Sequence, residues 1–100
     1  MFWHIVRFDF TGVDEATRTD IEDQLAGLES IEEVAWLRVG HDVTDGDVTA
    51  FVTGFATRDD YEAYRVHPEH VPVVMAIDTA EVAATRIDFE TEDEVEDLFA

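Results

Sequence analysis

The 100-residue sequence predicts a single α+β domain: a four-stranded antiparallel sheet, in the chain order βαββαβ, with its helices on one face. Three observations lead there. Phe2 to Phe10 alternate between two side-chain sets at strand spacing, and Ile21, Leu25 and Leu28 recur at helical spacing. Three further runs rich in β-branched and apolar residues follow, separated by polar turns and by a second helical segment. A chain of this length has no residues left over for a second core.

The first strand places Phe2, His4, Val6, Phe8 and Phe10 on one side and Trp3, Ile5, Arg7 and Asp9 on the other. Thr11 with Asp14 has the spacing of a capping box, opening an amphipathic helix from Asp14 to Leu28 with Gly27 near its end. Val34 to Val39 reads as the second strand, Asp42 to Asp47 as a polar turn around Gly46, and Val48 to Phe55 as the third strand. A second capping pair, Thr57 with Asp60, starts a helix through Tyr61 and Tyr64. That helix must reorganise at His67-Pro68, because the residue before a proline is driven out of helical geometry. A short helical segment restarts there, and Glu81 to Phe89 forms the fourth strand. Residues 1–90 thus make the domain, and residues 91–100 are an acidic tail whose Val95, Leu98 and Phe99 suit a docked helical turn.

This order, with both helices on one face, is the ferredoxin-like arrangement. It leaves the opposite sheet face uncovered. Whether that face carries Trp3 and Ile5 or His4, Val6 and Phe8, it is too apolar to stay in water. A second copy packed sheet against sheet supplies the cover, so the expected assembly is a homodimer forming an α/β barrel.

Charge narrows the partners. Twenty-five Asp and Glu face six Arg and no Lys, for a net charge of −19. Such a surface repels phosphate backbones and anionic lipid, which excludes nucleic-acid binding. Self-repulsion of this size is relieved by salt, whose screening length falls to about 3 Å at molar concentration. The composition is that of a protein adapted to a saline cytoplasm. The absence of Cys removes disulfides, thiolate metal sites and cysteine nucleophiles. The N-terminus lacks the basic start and apolar run of a signal peptide, and no run is long enough to span a bilayer, so a cytoplasmic location is the expectation.

The residues able to carry chemistry cluster in Tyr61 to Val71. A helical turn after Pro68 puts His67 and His70 three apart, with Tyr64 a turn earlier, so phenol and imidazole can face one pocket. A positioned His takes a proton near neutral pH, and a phenol steadies the oxyanion that results. The competing structural role is a Tyr covering the core and His side chains bracing the Pro turn. His4 shares a strand face with Val6 and Phe8, and it points into the same space or is a satisfied core residue. His67, Glu69 and His70 have metal-ligand spacing but no distant third ligand, and no metal site is assigned. No glycine-rich phosphate loop or nucleophilic serine motif is present, so neither flavin nor nicotinamide binding gains support.

The opening His4-Ile5-Val6-Arg7-Phe8-Asp9-Phe10, together with Tyr64-x-x-His67-Pro68-x-His70-Val71, resembles the stress-responsive dimeric α/β-barrel family, Dabb, over about residues 1–90. The resemblance implies a ferredoxin-like subunit that dimerises through its sheets, usually without a cofactor. It also implies a comparison with a plant member, olivetolic acid cyclase, which condenses a polyketide thioester with a Tyr and a His of this motif. Tyr64 would stand for the phenol and His70 for the base, with His4 lining the cavity. The expected function is binding of a small molecule in a pocket between sheet and helices, bordered by His4, Val6, Phe8 and His67. The alternative is a cofactor-independent acid/base enzyme of lyase, cyclase or monooxygenase type using His70 and Tyr64. A purely structural dimer would instead fill that space with Phe8, Phe10 and other apolar side chains.

Overall fold

The structure, a computed structural model, describes residues 1–99. Its elements run β1 (Phe2–Asp9), α1 (Glu15–Gly27), β2 (Trp36–His41), β3 (Val48–Phe55), α2 (Arg58–Arg65), α3 (Val71–Thr79) and β4 (Ala83–Glu90). Short 3₁₀ turns cover Leu28–Ser30 and Val95–Phe99. The four strands form one antiparallel sheet in the order β2-β3-β1-β4, and the helices lie on one of its faces. This is the ferredoxin-like α+β fold.

The register explains which side chains meet. Phe2, His4, Val6 and Phe8 of β1 stand opposite Phe55, Thr53, Phe51 and Thr49 of β3, and all of these are buried beneath the helices. Ile21 and Leu25 of α1, with Leu28 just beyond it, press onto that face, as helical spacing predicts. Thr53, fully buried, donates its hydroxyl to the His4 carbonyl at 3.0 Å, so its polar atom is satisfied inside the core. Trp3, Ile5 and Arg7 take the opposite face, where Ile87 remains 59% and Phe89 38% exposed. Gly54 is needed there: a Cβ would lie 3.0 Å from the Trp3 ring, which crosses the sheet to meet Trp36 edge-on at 5.9 Å.

Several boundaries differ from the sequence reading. The Thr11 capping box does not form. Thr11 bonds to Asp9, and Asp14 itself caps α1 by accepting from the Thr17 N–H at 2.9 Å. Thr57 does cap α2, accepting from the Asp60 N–H. β2 starts two residues late because the Val34 N–H is spent on the Ile31 carbonyl, and it extends two residues further than expected, to His41, which pairs with Thr49 in the ladder. The helical segment expected to restart after Pro68 does so, and it is longer than a short turn: nine residues, Val71–Thr79. α3 ends in a Schellman motif: the Val82 N–H reaches the Ile77 carbonyl and the Glu81 N–H reaches that of Asp78, with Glu81 left-handed at φ 56°. The acidic tail is tied to the N-terminus, where the Met1 ammonium donates to the Thr91 and Asp93 carbonyls and Trp3 Nε1 donates to Thr91 Oγ1. Ala100, the last residue of the expected tail, lies outside the described residues.

Candidate functional site

A cavity of about 240 Å³ lies between the sheet and the helices. That is a little under the usual range for drug-sized ligands and suits a small molecule. Its floor is Val6 and Phe8 of β1 and Phe51 of β3, and its roof is Leu25, Leu28, Val73 and Ile77. Its polar lining includes His4, Tyr64 and His70, together with Arg65, Asp78 and Arg86. Five of the six sequence-predicted residues, Tyr64, His70, His4, Val6 and Phe8, therefore share one wall system.

His67 is the exception and corrects the sequence reading. Its Nδ1 accepts from the Glu69 N–H at 3.1 Å, so the imidazole folds back onto its own turn and does not line the cavity. The turn has an N–H to satisfy just before α3 begins, and a side-chain acceptor two residues upstream is the nearest means. Among the described residues, no three side chains of metal-ligating type converge.

Tyr64 is positioned by α2, whose buried face is Tyr61 and Tyr64, three residues apart. The Tyr64 ring is 1% exposed and packs on Phe55, centroids 5.0 Å apart, and on His70 at 4.4 Å. Its hydroxyl is buried and has no hydrogen-bond partner among the described residues. Burial, reinforced by the neighbouring Tyr61, pushes the phenol well above its usual range, so Tyr64 stays protonated and is a donor.

His70 sits where the Pro68 turn meets α3, and its Nδ1 lies 2.9 Å from the Arg65 carbonyl. A carbonyl only accepts, so Nδ1 carries the proton and Nε2 keeps the lone pair. Burial lowers the His70 pKa below its ordinary 6.5, against the opposing pull of that hydrogen bond, so the ring is neutral at pH 7. His4 is lowered as well: burial outweighs the hydrogen bond and charge of Asp88, whose carboxylate lies 2.5 Å from His4 Nδ1. The contact is thus a neutral imidazole donating to a carboxylate, not an ion pair. Asp88 comes to this place because it is directly across the β1–β4 ladder from His4.

Sequence reading missed Arg65, Arg86 and Asp88. The signal for Asp88 and Arg86 was strand alternation in β4, which puts both on the helix side once the β1–β4 register is known. A second polar cluster, also unforeseen, joins α1 to the far end of the sheet. There Glu22 accepts from Thr49 Oγ1 and pairs with His41 Nε2, both at 2.7 Å, while Arg18 bonds Thr49 and the Gly46 carbonyl.

Comparison with known proteins gives a consistent picture. The family model described as the stress responsive A/B barrel domain, Dabb, matches residues 2–93. Comparison with curated protein sequences returns no match. Among solved structures, a Deinococcus radiodurans protein proposed to be an antibiotic biosynthesis monooxygenase superposes with TM-score 0.77 at 8% identity, covering 93% of this chain and 94% of that one. A dimeric ferredoxin-like protein of unknown function from Thermobifida fusca gives TM-score 0.76 at 21% identity, covering 90% of each chain. SnoaB, a cofactor-independent oxygenase from Streptomyces nogalater, gives 0.73 at 9% identity, covering 92% and 93%. At such identities the likeness is one of fold.

Proposed function

This chain belongs to the stress responsive A/B barrel domain family, and from that premise we propose that it is a homodimer binding a small molecule in the cavity between sheet and helices. The observation that carries the reading is a 240 Å³ space, apolar for most of its wall, that the surrounding side chains leave unfilled. A purely structural subunit would close such a recess with its own side chains, as close-packed interiors do.

The homodimer is supported by the apolar face of Trp3, Ile5, Val52, Ile87 and Phe89 and by the dimeric state ascribed to the Thermobifida fusca neighbour. Ile87→Asp is expected to give monomers by light scattering. A wild-type chain that is a soluble folded monomer contradicts the dimer. The net charge of −19 supports a saline cytoplasm as the working environment.

Ligand binding is tested by saturation-transfer NMR with a set of small aromatic and aliphatic probes on the wild type and on Val73→Trp. Val73 is buried and forms part of the cavity roof, so a bulky ring there fills the space. Probes that bind the wild type and not the variant support the reading. Equal binding by both overturns it.

A second reading is favoured by a specific observation: a phenol without a hydrogen-bond partner lies against an imidazole whose Nε2 is free. In this reading the site is a cofactor-independent acid/base enzyme. His70 Nε2 takes a proton from a carbon next to a carbonyl, the C–H pair moves into the enolate, and the Tyr64 hydroxyl donates to the enolate oxygen. Exchange of α-protons for deuterium in simple ketones and thioesters, abolished in His70→Gln, is the expected result. Exchange at the same rate in the variant removes His70 as the base.

A further inference from the structure

The chain has six Arg and 25 acids, yet three of the six, Arg58, Arg65 and Arg86, line one groove that continues into the cavity through Tyr61, Arg65 and Arg86. The fold accounts for the convergence. Arg58 and Arg65 begin and end α2, and Arg86 stands across the β1–β4 ladder from Val6 of the cavity floor.

These cations are not used up inside the protein. Arg86 makes no hydrogen bond among the described residues; its Nε lies 3.9 Å from Asp88 Oδ2, too long for one, and its side chain is 62% exposed. Asp88 spends its other oxygen on His4. Arg65 gives one nitrogen to Glu62 at 3.1 Å and keeps the rest of its fork. Glu90 and Asp78 also border the groove and the cavity, so the charges nearly balance here on a surface that is otherwise strongly negative. An arginine fork with open donors matches a planar carboxylate in geometry and charge, whereas a neutral carbonyl offers it only the weaker, uncharged hydrogen bond.

We propose that the cavity takes an organic acid, its apolar body between Val6, Phe8, Phe51 and Val73 and its carboxylate held at the mouth by Arg86 and Arg65. This rests on the cavity being a ligand site and adds the class of ligand. It also gives a reason for arginine at this place: the negative surface repels anions in general, and two open guanidinium groups at the mouth admit one that carries a matching apolar body.

The test is isothermal titration calorimetry with cinnamate and cinnamamide, matched in shape and different in charge, at the lowest salt that keeps the chain folded. The wild type is expected to bind the acid at least about tenfold more tightly, the difference between charge-assisted and neutral hydrogen bonds. Arg65→Gln with Arg86→Gln should erase the preference, the acid falling to the affinity of the amide. Arg7→Gln, on the opposite sheet face, makes a change of the same sign in net charge and should keep it. Equal binding of the two probes by the wild type overturns the acid inference and leaves the cavity reading standing. No binding of either overturns both.

Discussion

Replacing Tyr64 by Phe is expected to stabilise the protein and impair its function at the same time. The ring of Tyr64 makes its contacts with Phe55, Tyr61 and His70 through carbon atoms that Phe retains, so the change is confined to the hydroxyl. That hydroxyl is buried without a partner, and leaving a buried polar group unpaired costs about 1–3 kcal/mol. The cavity beside it can admit water, which argues for the lower end, so a gain of about 1 kcal/mol is expected. For a domain of this size that raises Tm by roughly 4–8 °C. Urea unfolding in matched salt should show a higher midpoint with an unchanged slope, because the surface exposed on unfolding is the same. In parallel, turnover or affinity for any ligand with an oxygen at the phenol should fall. A Tyr64→Phe protein that is less stable than wild type refutes the reasoning: the hydroxyl would then have a partner in solution, and no unpaired donor would be held for a ligand.

Other expectations follow from the same structure. Folded His4 and His70 hold their protons less tightly than the unfolded chain, so the unfolded state binds more protons at pH values between the lowered pKa values and 6.5. Stability is therefore unaffected by these two groups above 6.5 and is lost as pH falls below it. Urea midpoints between about pH 5 and 8 should rise with pH in the wild type and flatten in His4→Gln with His70→Gln, and a wild-type midpoint that falls with rising pH contradicts this. Glu81 holds a left-handed conformation at the Schellman position where glycine carries no Cβ penalty, so Glu81→Gly should raise stability by about 1 kcal/mol; a loss of stability would show that the strain is absent. With a net charge of −19, Tm should climb from dilute buffer to molar NaCl as the screening length shrinks to about 3 Å, and a Tm indifferent to salt would remove self-repulsion as a factor.

Strand alternation and helical spacing report which residues share a face, and these were legible in Phe2 to Phe10 and in Ile21, Leu25 and Leu28. The Thr57 cap could be read because its partner lies three residues away, and the Thr11 cap failed because α1 starts only at Glu15, with Asp14 itself as the cap and Thr11 turned back onto Asp9. Local rules did not distinguish the two. The site was half legible. Tyr64 and His70 are close in the chain, and the Pro68 turn brings their rings together. His67 has the same sequence credentials, but a turn N–H claims its imidazole, a contact that depends on the exact path of the backbone. Arg86 and Asp88 could not be assigned because their meeting with Val6 and His4 is set by strand register between residues at opposite ends of the chain.

The most direct test of the account is a crystal structure grown in molar salt and soaked with cavity-binding probes. The account predicts electron density for a small molecule between Val6 and Val73, with an oxygen within hydrogen-bonding distance of Tyr64 or His70. A cavity closed by repacked side chains, with the Tyr64 hydroxyl bonded to a protein group, would contradict it.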